Sequence, residues 1–225
     1  MPVLNRDLLR VLAMVHHQQA DATVGLVDGP TQRTLHVVRG NLVSVASNSE
    51  RDRLAEMLVM EGRLDPALLI PLREEAERLQ KPFSEQLLHD ELLSPTELAG
   101  ALERLALLRF ERALTMLGRP GPFARPAALR PIVNRPLGAL VVEFFRDRIP
   151  IESIEQLLEA EVERYFEPGR LTPQALNDLR LMPGELRLAR RLAAGERPAH
   201  VVAGGPESTA RFVCSMIALR HSVTR

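Results

Sequence analysis

The sequence predicts an α+β protein that is mostly α-helical, and three observations support this class. Apolar residues recur at helical spacing along most of the 225-residue chain. Three short runs, by contrast, have the Val- and Thr-rich character of β-strands. Aromatic residues make up 4% of the chain and tryptophan is absent, so the core must consist largely of Leu, Val and Ala, as in many helical proteins.

The N-terminal region is predicted to combine one helix with a small antiparallel β-meander. Residues 5–19 have apolar side chains at helical spacing, and Asn5 can cap this helix. Asp28-Gly29 and Gly40-Asn41 tolerate the positive φ of tight turns between strands. Because a few strands alone are marginally stable, we expect the helix to cover the apolar face of the sheet. The strand-like runs are 22–27, 34–38 and 42–47.

Residues 53–105 contain one helical hairpin written twice. Leu54 corresponds to Phe83, and Pro66 to Pro95, at a single offset (83 − 54 = 29). Each copy has the pattern of a short amphipathic helix, a turn and a second helix. The repeat therefore predicts tandem hairpins that bury their apolar faces against each other. Further pairs at this offset are Glu56–Glu85, Leu58–Leu87, Leu64–Leu93 and Leu69–Leu98.

Two short phrases predict where the second helix of each hairpin begins. Asp65-Pro66 and Ser94-Pro95 both place a cap acceptor before a proline at the first helical position. Glu97 completes a capping box with Ser94. Pro71 lies inside the helix that starts at Pro66, and we expect it to kink or end that helix.

The second half of the chain is predicted to be helical and to follow a proline-rich connector. This pattern divides the chain into a domain at 1–118 with tandem hairpins at 50–118, a connector at 119–136, and a helical domain at 137–225. The last three helices of that domain have a helix-turn-helix or winged-helix-like pattern. The helices expected after the connector are 137–148, 151–165, 185–194, 198–203 and 207–220.

Composition argues against several functional classes. Basic and acidic residues balance at 29 each, which does not favour a chain-wide surface for nucleic acid or membranes. The sequence has no secretory leader pattern and no apolar run of membrane-spanning length, so we expect a cytoplasmic protein without membrane insertion. Seven arginines within 185–225 leave DNA binding as an alternative, although the final helix is mostly apolar and is predicted to be buried.

The sequence contains none of the common catalytic or metal-binding motifs, so we expect no catalytic residues, no cofactor and no metal site. It has no nucleophile elbow, phosphate-binding loop, dinucleotide-binding glycine motif, H-E-x-x-H or C-x-x-C. His16 and His17 are adjacent on a helix and point in different directions, unlike metal ligands four residues apart. His36 alternates with apolar neighbours on a strand and is predicted to face solvent. Cys214 lies in an apolar run and is predicted to be a packed thiol.

The order of motifs in the first half of the chain resembles a known family. V-G-L-V precedes a D-G turn, L-H-V-V-R-G-N-L-V-S-V-A-S-N follows, and R-L-A-E-M-L-V-M-E-G comes next. The strand, glycine turn and helix are similar to those of the PATAN domain, whose glycine pattern is met here by Gly40 to Ala46. The resemblance covers residues 4–118 and implies a non-catalytic module of bacterial signalling proteins.

The first hairpin also resembles the N-terminal hairpins of type II secretion and pilus ATPases. Arg53, Leu54, Leu58 and Gly62 match a family pattern whose better-matching members bind cyclic di-GMP. If a cyclic dinucleotide binds this chain, the resemblance implies that these four residues hold it. Because several family positions differ, we interpret the hairpins first as a packing scaffold. The differing positions are Ala55 and Arg63 in the first copy and Pro82, Ser84 and Glu91 in the second.

These observations lead to one main functional hypothesis and two alternatives. The main hypothesis is a non-catalytic bacterial signalling adaptor that acts by protein–protein interaction, alone or as a homo-oligomer. Its expected docking surfaces are the edge of the meander and the grooves between the hairpins. The first alternative is a cyclic di-GMP sensor around Arg53, and the second is a DNA-binding regulator that uses the C-terminal helices.

Overall fold

The structure confirms the mostly helical α+β class. The computed structural model describes residues 4–123, 129–161 and 173–220. A five-stranded antiparallel sheet follows the first helix, and a 3₁₀ turn (Glu50–Asp52) leads into the hairpins. The helices are α1 (Arg6–His17), α2 (Leu54–Met60), α3 (Pro66–Arg78), α4 (Phe83–His89), α5 (Pro95–Leu114), α6 (Leu137–Asp147), α7 (Ile151–Glu161), α8 (Pro173–Asp178), α9 (Pro183–Ala193), α10 (Pro198–Val202) and α11 (Glu207–Arg220). The strands are β1 (Ala22–Asp28), β2 (Thr31–Val38), β3 (Asn41–Ser47), β4 (Pro120–Pro122) and β5 (Arg135–Pro136).

Helix α1 shares the main apolar core with the sheet, and its cap residue has a second role. The side-chain oxygen of Asn5 accepts a hydrogen bond from the backbone N–H of Leu8 at 2.8 Å. Its amide nitrogen donates to the carbonyl oxygens of Met116 and Gly118, at 2.6 and 2.7 Å. One buried side chain therefore starts α1 and also holds it against the chain that leaves α5.

The segment predicted as a connector supplies both outer strands of the sheet. The strand order is β4-β1-β2-β3-β5. Strand β4 pairs with residues 24–26 of β1, and β5 pairs with residues 41–42 of β3. The prolines in these outer strands have no backbone N–H, so they cannot donate a hydrogen bond to a strand of another chain. The expectation that the meander has an exposed edge for docking is therefore wrong where these strands pair.

The doubled hairpin is confirmed, with equal spacing at its helix boundaries. Helices α2 and α4 begin at Leu54 and Phe83, and each spans seven residues. The turns after them also match. Gly62 and its counterpart Glu91 both have positive φ, at 67° and 56°. Ser94 and Glu97 form the predicted capping box at the start of α5. Equal helix starts and equal turns show that the two copies have the same local fold as far as the second helix, which is longer in the second copy.

The sequence predicted that Pro71 would kink or end its helix. The helix does not end there, because α3 continues through Pro71 to Arg78. Within the helix, the missing N–H of Pro71 leaves the carbonyl of Ala67 without its usual partner. Beyond the proline, Leu72 and Ala76 are buried at 8% and 4% exposure. Burial of these side chains in the hairpins offsets one lost backbone hydrogen bond.

The buried residues form two apolar clusters that do not follow the predicted domain boundary. The main core combines α1 and the sheet with the end of α5 and the C-terminal helices, so it crosses the segment 119–136. A separate hairpin core lies among α2 to α5. Helix α5 contributes Leu98 and Leu105 to the hairpin core and Phe110 and Leu114 to the main core. The long second helix of the repeat therefore joins the hairpins to the rest of the protein.

Helix α11 lies at the centre of the C-terminal region and is buried, as its apolar sequence predicted. Phe212, Val213 and Met216 are at most 3% exposed. Burial raises the pKa of Cys214 to about 12, so it is the packed thiol that the sequence predicted. With its side chains in the core, α11 cannot enter a DNA groove as a recognition helix. The predicted extension of α7 to 165 lies outside the described residues.

Two of the histidines are more buried than the sequence indicated. The prediction that His36 faces solvent is wrong, because β2 is the middle strand of the sheet and His36 is 5% exposed. Its Nδ1 lies 3.4 Å from the hydroxyl oxygen of Thr23 on β1. His16, in the last turn of α1, is 3% exposed. Within the described residues, no helix is long and apolar enough to cross a membrane.

Candidate functional site in the hairpin groove

A groove of about 430 Å³ opens between the two hairpins. We call it the hairpin groove. It is lined by the first residues of α2 and α4, by the second half of α3 and by the middle of α5. Leu54, Phe83 and Leu102 are half-buried, so one side of each packs on the hairpin core while the other faces the groove. The groove therefore has an apolar floor.

Equivalent positions of the two copies line this groove. Leu54 and Phe83 are 29 positions apart, and both line it. When the same surface of two related units faces one space, the units are arranged as in an isologous, two-fold interface. The groove therefore lies where equivalent surfaces of the two copies meet. The other lining pairs at the same offset are Ala55–Ser84, Arg73–Leu102 and Ala76–Leu105.

Basic side chains surround the apolar floor. Arg53, Arg73 and Lys81 line the groove, and Glu77 is the one acidic residue among the described lining residues. Arg73 donates a hydrogen bond to Glu56 at 2.8 Å, and both side chains are about one third exposed. Arg53 pairs with Glu50 at 3.2 Å, but the side chain of Arg53 is 51% exposed. Exposed ion pairs of this kind contribute little and exchange partners readily. The groove therefore presents positive charge to a ligand.

Arg109 also lines the groove, but its guanidinium is hydrogen-bonded to the protein backbone. Its Nε and Nη2 atoms donate to the carbonyl oxygen of Asp52 at 2.9 and 2.6 Å. Its Nη1 donates to the carbonyl oxygen of Val45 at 3.0 Å. Burial lowers the pKa of Arg109, and the nearby Asp52 carboxylate opposes that shift. Arg109 therefore fastens α5 to the sheet and to the 3₁₀ turn.

A buried carboxylate fixes the 3₁₀ turn that precedes Arg53. Asp52 is 0% exposed. Its Oδ2 accepts from Arg33 Nε at 2.7 Å and from the Ser47 hydroxyl at 2.5 Å. Its Oδ1 accepts from Arg112 Nη1 at 2.5 Å. Because Arg53 follows Asp52 directly, this network sets the position from which Arg53 reaches the groove.

The structure brings together only two of the four residues that the ATPase resemblance singles out. Arg53 and Leu54 line the groove. Leu58 is 1% exposed and belongs to the hairpin core, and Gly62 lies in the turn after α2 with open space around it. Sequence reasoning missed Arg73, Lys81 and Phe83 as lining residues. The offset of 29 was the available signal for Phe83, since its counterpart Leu54 was already a candidate.

The chain matches no family model, no curated protein and no solved structure. The resemblances to the PATAN domain and to the secretion ATPase hairpins therefore stay predictions from the sequence. The chemistry of the groove has to be inferred from its own residues. Among the described residues that line it, Ser84 is the one hydroxyl, and there is no histidine or cysteine. Positive charge around an apolar floor is suited to binding an anionic, partly apolar ligand.

A larger groove of about 780 Å³ lies between α6, α9 and α11, and two of the three arginines that line it are held in ion pairs. Arg146 forms two hydrogen bonds with Glu185, at 2.9 and 2.7 Å, and both side chains are mostly buried. Arg191 is paired with Glu196. A ligand there would have to compete with a buried, bidentate ion pair. The hairpin groove is the better candidate site for this reason.

Proposed function

We propose that this protein is a non-catalytic, cytoplasmic signalling adaptor that binds a protein partner in the hairpin groove. The observation that supports this proposal is the apolar floor at Leu54 and Phe83 beneath the exposed cations Arg53 and Lys81. An apolar centre with a polar rim is the usual composition of a protein-binding surface. The edges of the meander are occupied by β4 and β5, so the groove is the more accessible of the two surfaces predicted for docking.

The adaptor proposal predicts that capture of the partner depends on the groove. We expect Arg53→Glu and Lys81→Glu each to weaken the captured complex at least tenfold, because each variant reverses a charge that faces the partner. The measurement is affinity capture from native lysate with the full chain, followed by calorimetry with the purified partner.

Arg78→Glu is the matched control for these charge reversals. Arg78 is an exposed residue near the end of α3, it pairs with Glu75 at 2.9 Å through Nε, and it does not line the groove. This variant should bind the partner as the wild type does. Equal binding by the wild type, by both groove variants and by the control would contradict the proposal.

A cyclic di-GMP sensor is the second candidate, because Arg53, Leu54 and Phe83 face the same groove. A guanidinium can contact guanine or phosphate in a bidentate manner, and an aromatic ring can stack on the base. On this hypothesis, calorimetry should show heat with the wild type and at least tenfold weaker binding by Arg53→Ala. An absence of heat with the wild type would exclude the sensor and is the result that the adaptor proposal expects.

A further inference from the structure

The two copies of the repeat contribute different chemistry to the hairpin groove. The first copy, residues 53–81, supplies the cations Arg53, Arg73 and Lys81 together with one acid, Glu77, and Arg73 is paired with Glu56. The second copy, residues 82–110, supplies a wall that is mainly apolar. The one cation that this copy contributes to the described lining, Arg109, donates all its described hydrogen bonds to backbone carbonyls. The second copy's lining side chains, apart from Arg109, are Phe83, Ser84, Leu102 and Leu105.

Comparison of equivalent positions shows the same asymmetry. Arg73 in the first copy corresponds to Leu102 in the second. Likewise, the small side chain of Ala76 corresponds to the larger Leu105. The two copies therefore have the same backbone arrangement but different side chains at these positions of the groove. We call the lining from the first copy, which holds Arg53, Arg73, Lys81 and also Leu54 and Glu77, the basic wall, and the lining from the second copy the apolar wall.

We infer that the occupant of this groove is an acidic amphipathic α-helix of the partner, and this inference rests on the proposed function. Its apolar stripe would lie against Phe83 and Leu102, and its carboxylates would face Arg53 and Lys81. An amphipathic helix has apolar residues along one stripe and charged residues on the adjacent flank. Those two surfaces match the two walls in chemistry.

The walls also argue against other occupants. They are built from helices α2 to α5, whose backbone groups are bonded within the helices, so they offer no edge for pairing with an extended strand. A ligand with two-fold symmetry would need the same groups on both walls. At the position equivalent to Arg73, however, the second copy has Leu102. An asymmetric, amphipathic ligand suits the groove better than a symmetric one.

Synthetic helical peptides test this inference on the full chain. The probe peptide has leucines at i, i+3, i+4 and i+7 and glutamates along one flank. A second peptide has the same composition in scrambled order, and a third has lysines in place of the glutamates. By fluorescence anisotropy, we expect the acidic amphipathic peptide to bind at least tenfold more tightly than either of the others. Its affinity should decrease with added salt, because the basic side chains are partly exposed.

Charge reversal on the protein should reverse the preference. Lys81→Glu should weaken binding of the acidic peptide about tenfold and should strengthen binding of the lysine peptide. Ser84→Glu, which adds a negative charge to the apolar wall, should also weaken the acidic peptide. Arg78→Glu should leave all three affinities unchanged. Circular dichroism is used to check that each variant is folded. Equal binding of the scrambled peptide, or no effect of Lys81→Glu, overturns the inference.

The outcomes separate this inference from the adaptor proposal. If the captured partner requires Lys81 but none of the acidic peptides binds, the adaptor proposal stands and the acidic helix is wrong. If capture does not depend on groove residues, the adaptor proposal fails whatever the peptides do. Tight binding of cyclic di-GMP with no binding of the acidic peptide overturns the inference and favours the sensor.

Discussion

Asp52→Ala is expected to lower the free energy of unfolding by about 3 to 5 kcal/mol, because it removes the shared counter-charge of a buried network. Asp52 is fully buried and receives hydrogen bonds from Arg33 at 2.7 Å and Arg112 at 2.5 Å. The side chain of Arg33 is 10% exposed, so its charge would be left with little solvent. The measurement is urea denaturation at neutral pH. Unfolding is monitored by circular dichroism, because the chain has no tryptophan for fluorescence.

Glu50→Gln is the control for this variant. Glu50 belongs to the same 3₁₀ turn and also pairs with an arginine, but its side chain is 80% exposed. Substitutions at such surface sites usually change stability by no more than about 0.5 kcal/mol. A difference between the two variants of less than about 1 kcal/mol would contradict a stabilising role for the Asp52 network.

The contribution of Asp52 also has a defined pH dependence. Burial alone would raise the pKa of Asp52, but hydrogen bonds from Arg33, Ser47 and Arg112 outweigh burial and hold the pKa below its usual value of 3.8. Since the folded pKa lies below the unfolded pKa, the stabilisation is present above about pH 4 and is lost as pH falls through the folded pKa. The stability curves of the wild type and Asp52→Ala should therefore converge in strong acid.

The parts of the fold that the sequence predicts well are those specified by local patterns. Ser94 and Glu97 mark the start of α5 by themselves, because a capping box is made within one helical turn. The repeat predicts that α4 begins at Phe83, since its counterpart begins at Leu54. Pro71 is the exception. A local rule predicts a break there, but burial of residues further along α3 outweighs the local preference.

The parts that could not be predicted depend on contacts between distant residues. Asp52 lies in a run of charged residues that has the composition of a solvent-exposed turn. Its partners Arg33 and Arg112 are 19 and 60 positions away, so only the fold brings them together. The outer strands β4 and β5 are equally hard to predict, because they are three and two residues long and contain proline.

The hairpin groove has one feature that the sequence predicts and one that depends on contacts between distant residues. The repeat indicates that equivalent surfaces face each other, and that information is present in the sequence. Which of the arginines remain available is decided by tertiary contacts. Arg53 and Arg109 look alike in the sequence, but Arg109 is bonded to the backbone of the sheet and of the 3₁₀ turn. The division into a basic wall and an apolar wall therefore became visible only with the structure.

The second large effect is a pH dependence that we assign to His16. The free energy of unfolding should fall by about 3 kcal/mol as pH falls from 6.5 to 4. Burial, reinforced by repulsion from His17 and opposed by Asp178, lowers the pKa of His16 from 6.5 to about 4. Its ring lies close to Gly138 of α6, and its Nδ1 has no hydrogen-bond partner among the described residues. The folded state therefore holds this imidazole neutral.

The sign of the effect follows from which state binds the proton. Between pH 6.5 and 4 the unfolded chain takes up a proton at His16 and the folded chain does not, so acid favours unfolding. His16→Gln removes this titration, and we expect its unfolding free energy to change little across that window. Urea denaturation at several pH values measures both proteins.

The two pH effects can be separated because they occupy different ranges. The loss due to His16 begins below pH 6.5 and is complete near pH 4, whereas the loss due to Asp52 begins near pH 4. Asp52→Ala should therefore retain the slope above pH 4 that His16→Gln removes. If His16→Gln kept the slope of the wild type in that window, the buried imidazole would not be the group that responds. In that case the closely packed junction of α1 with α6 would have to tolerate a charged histidine.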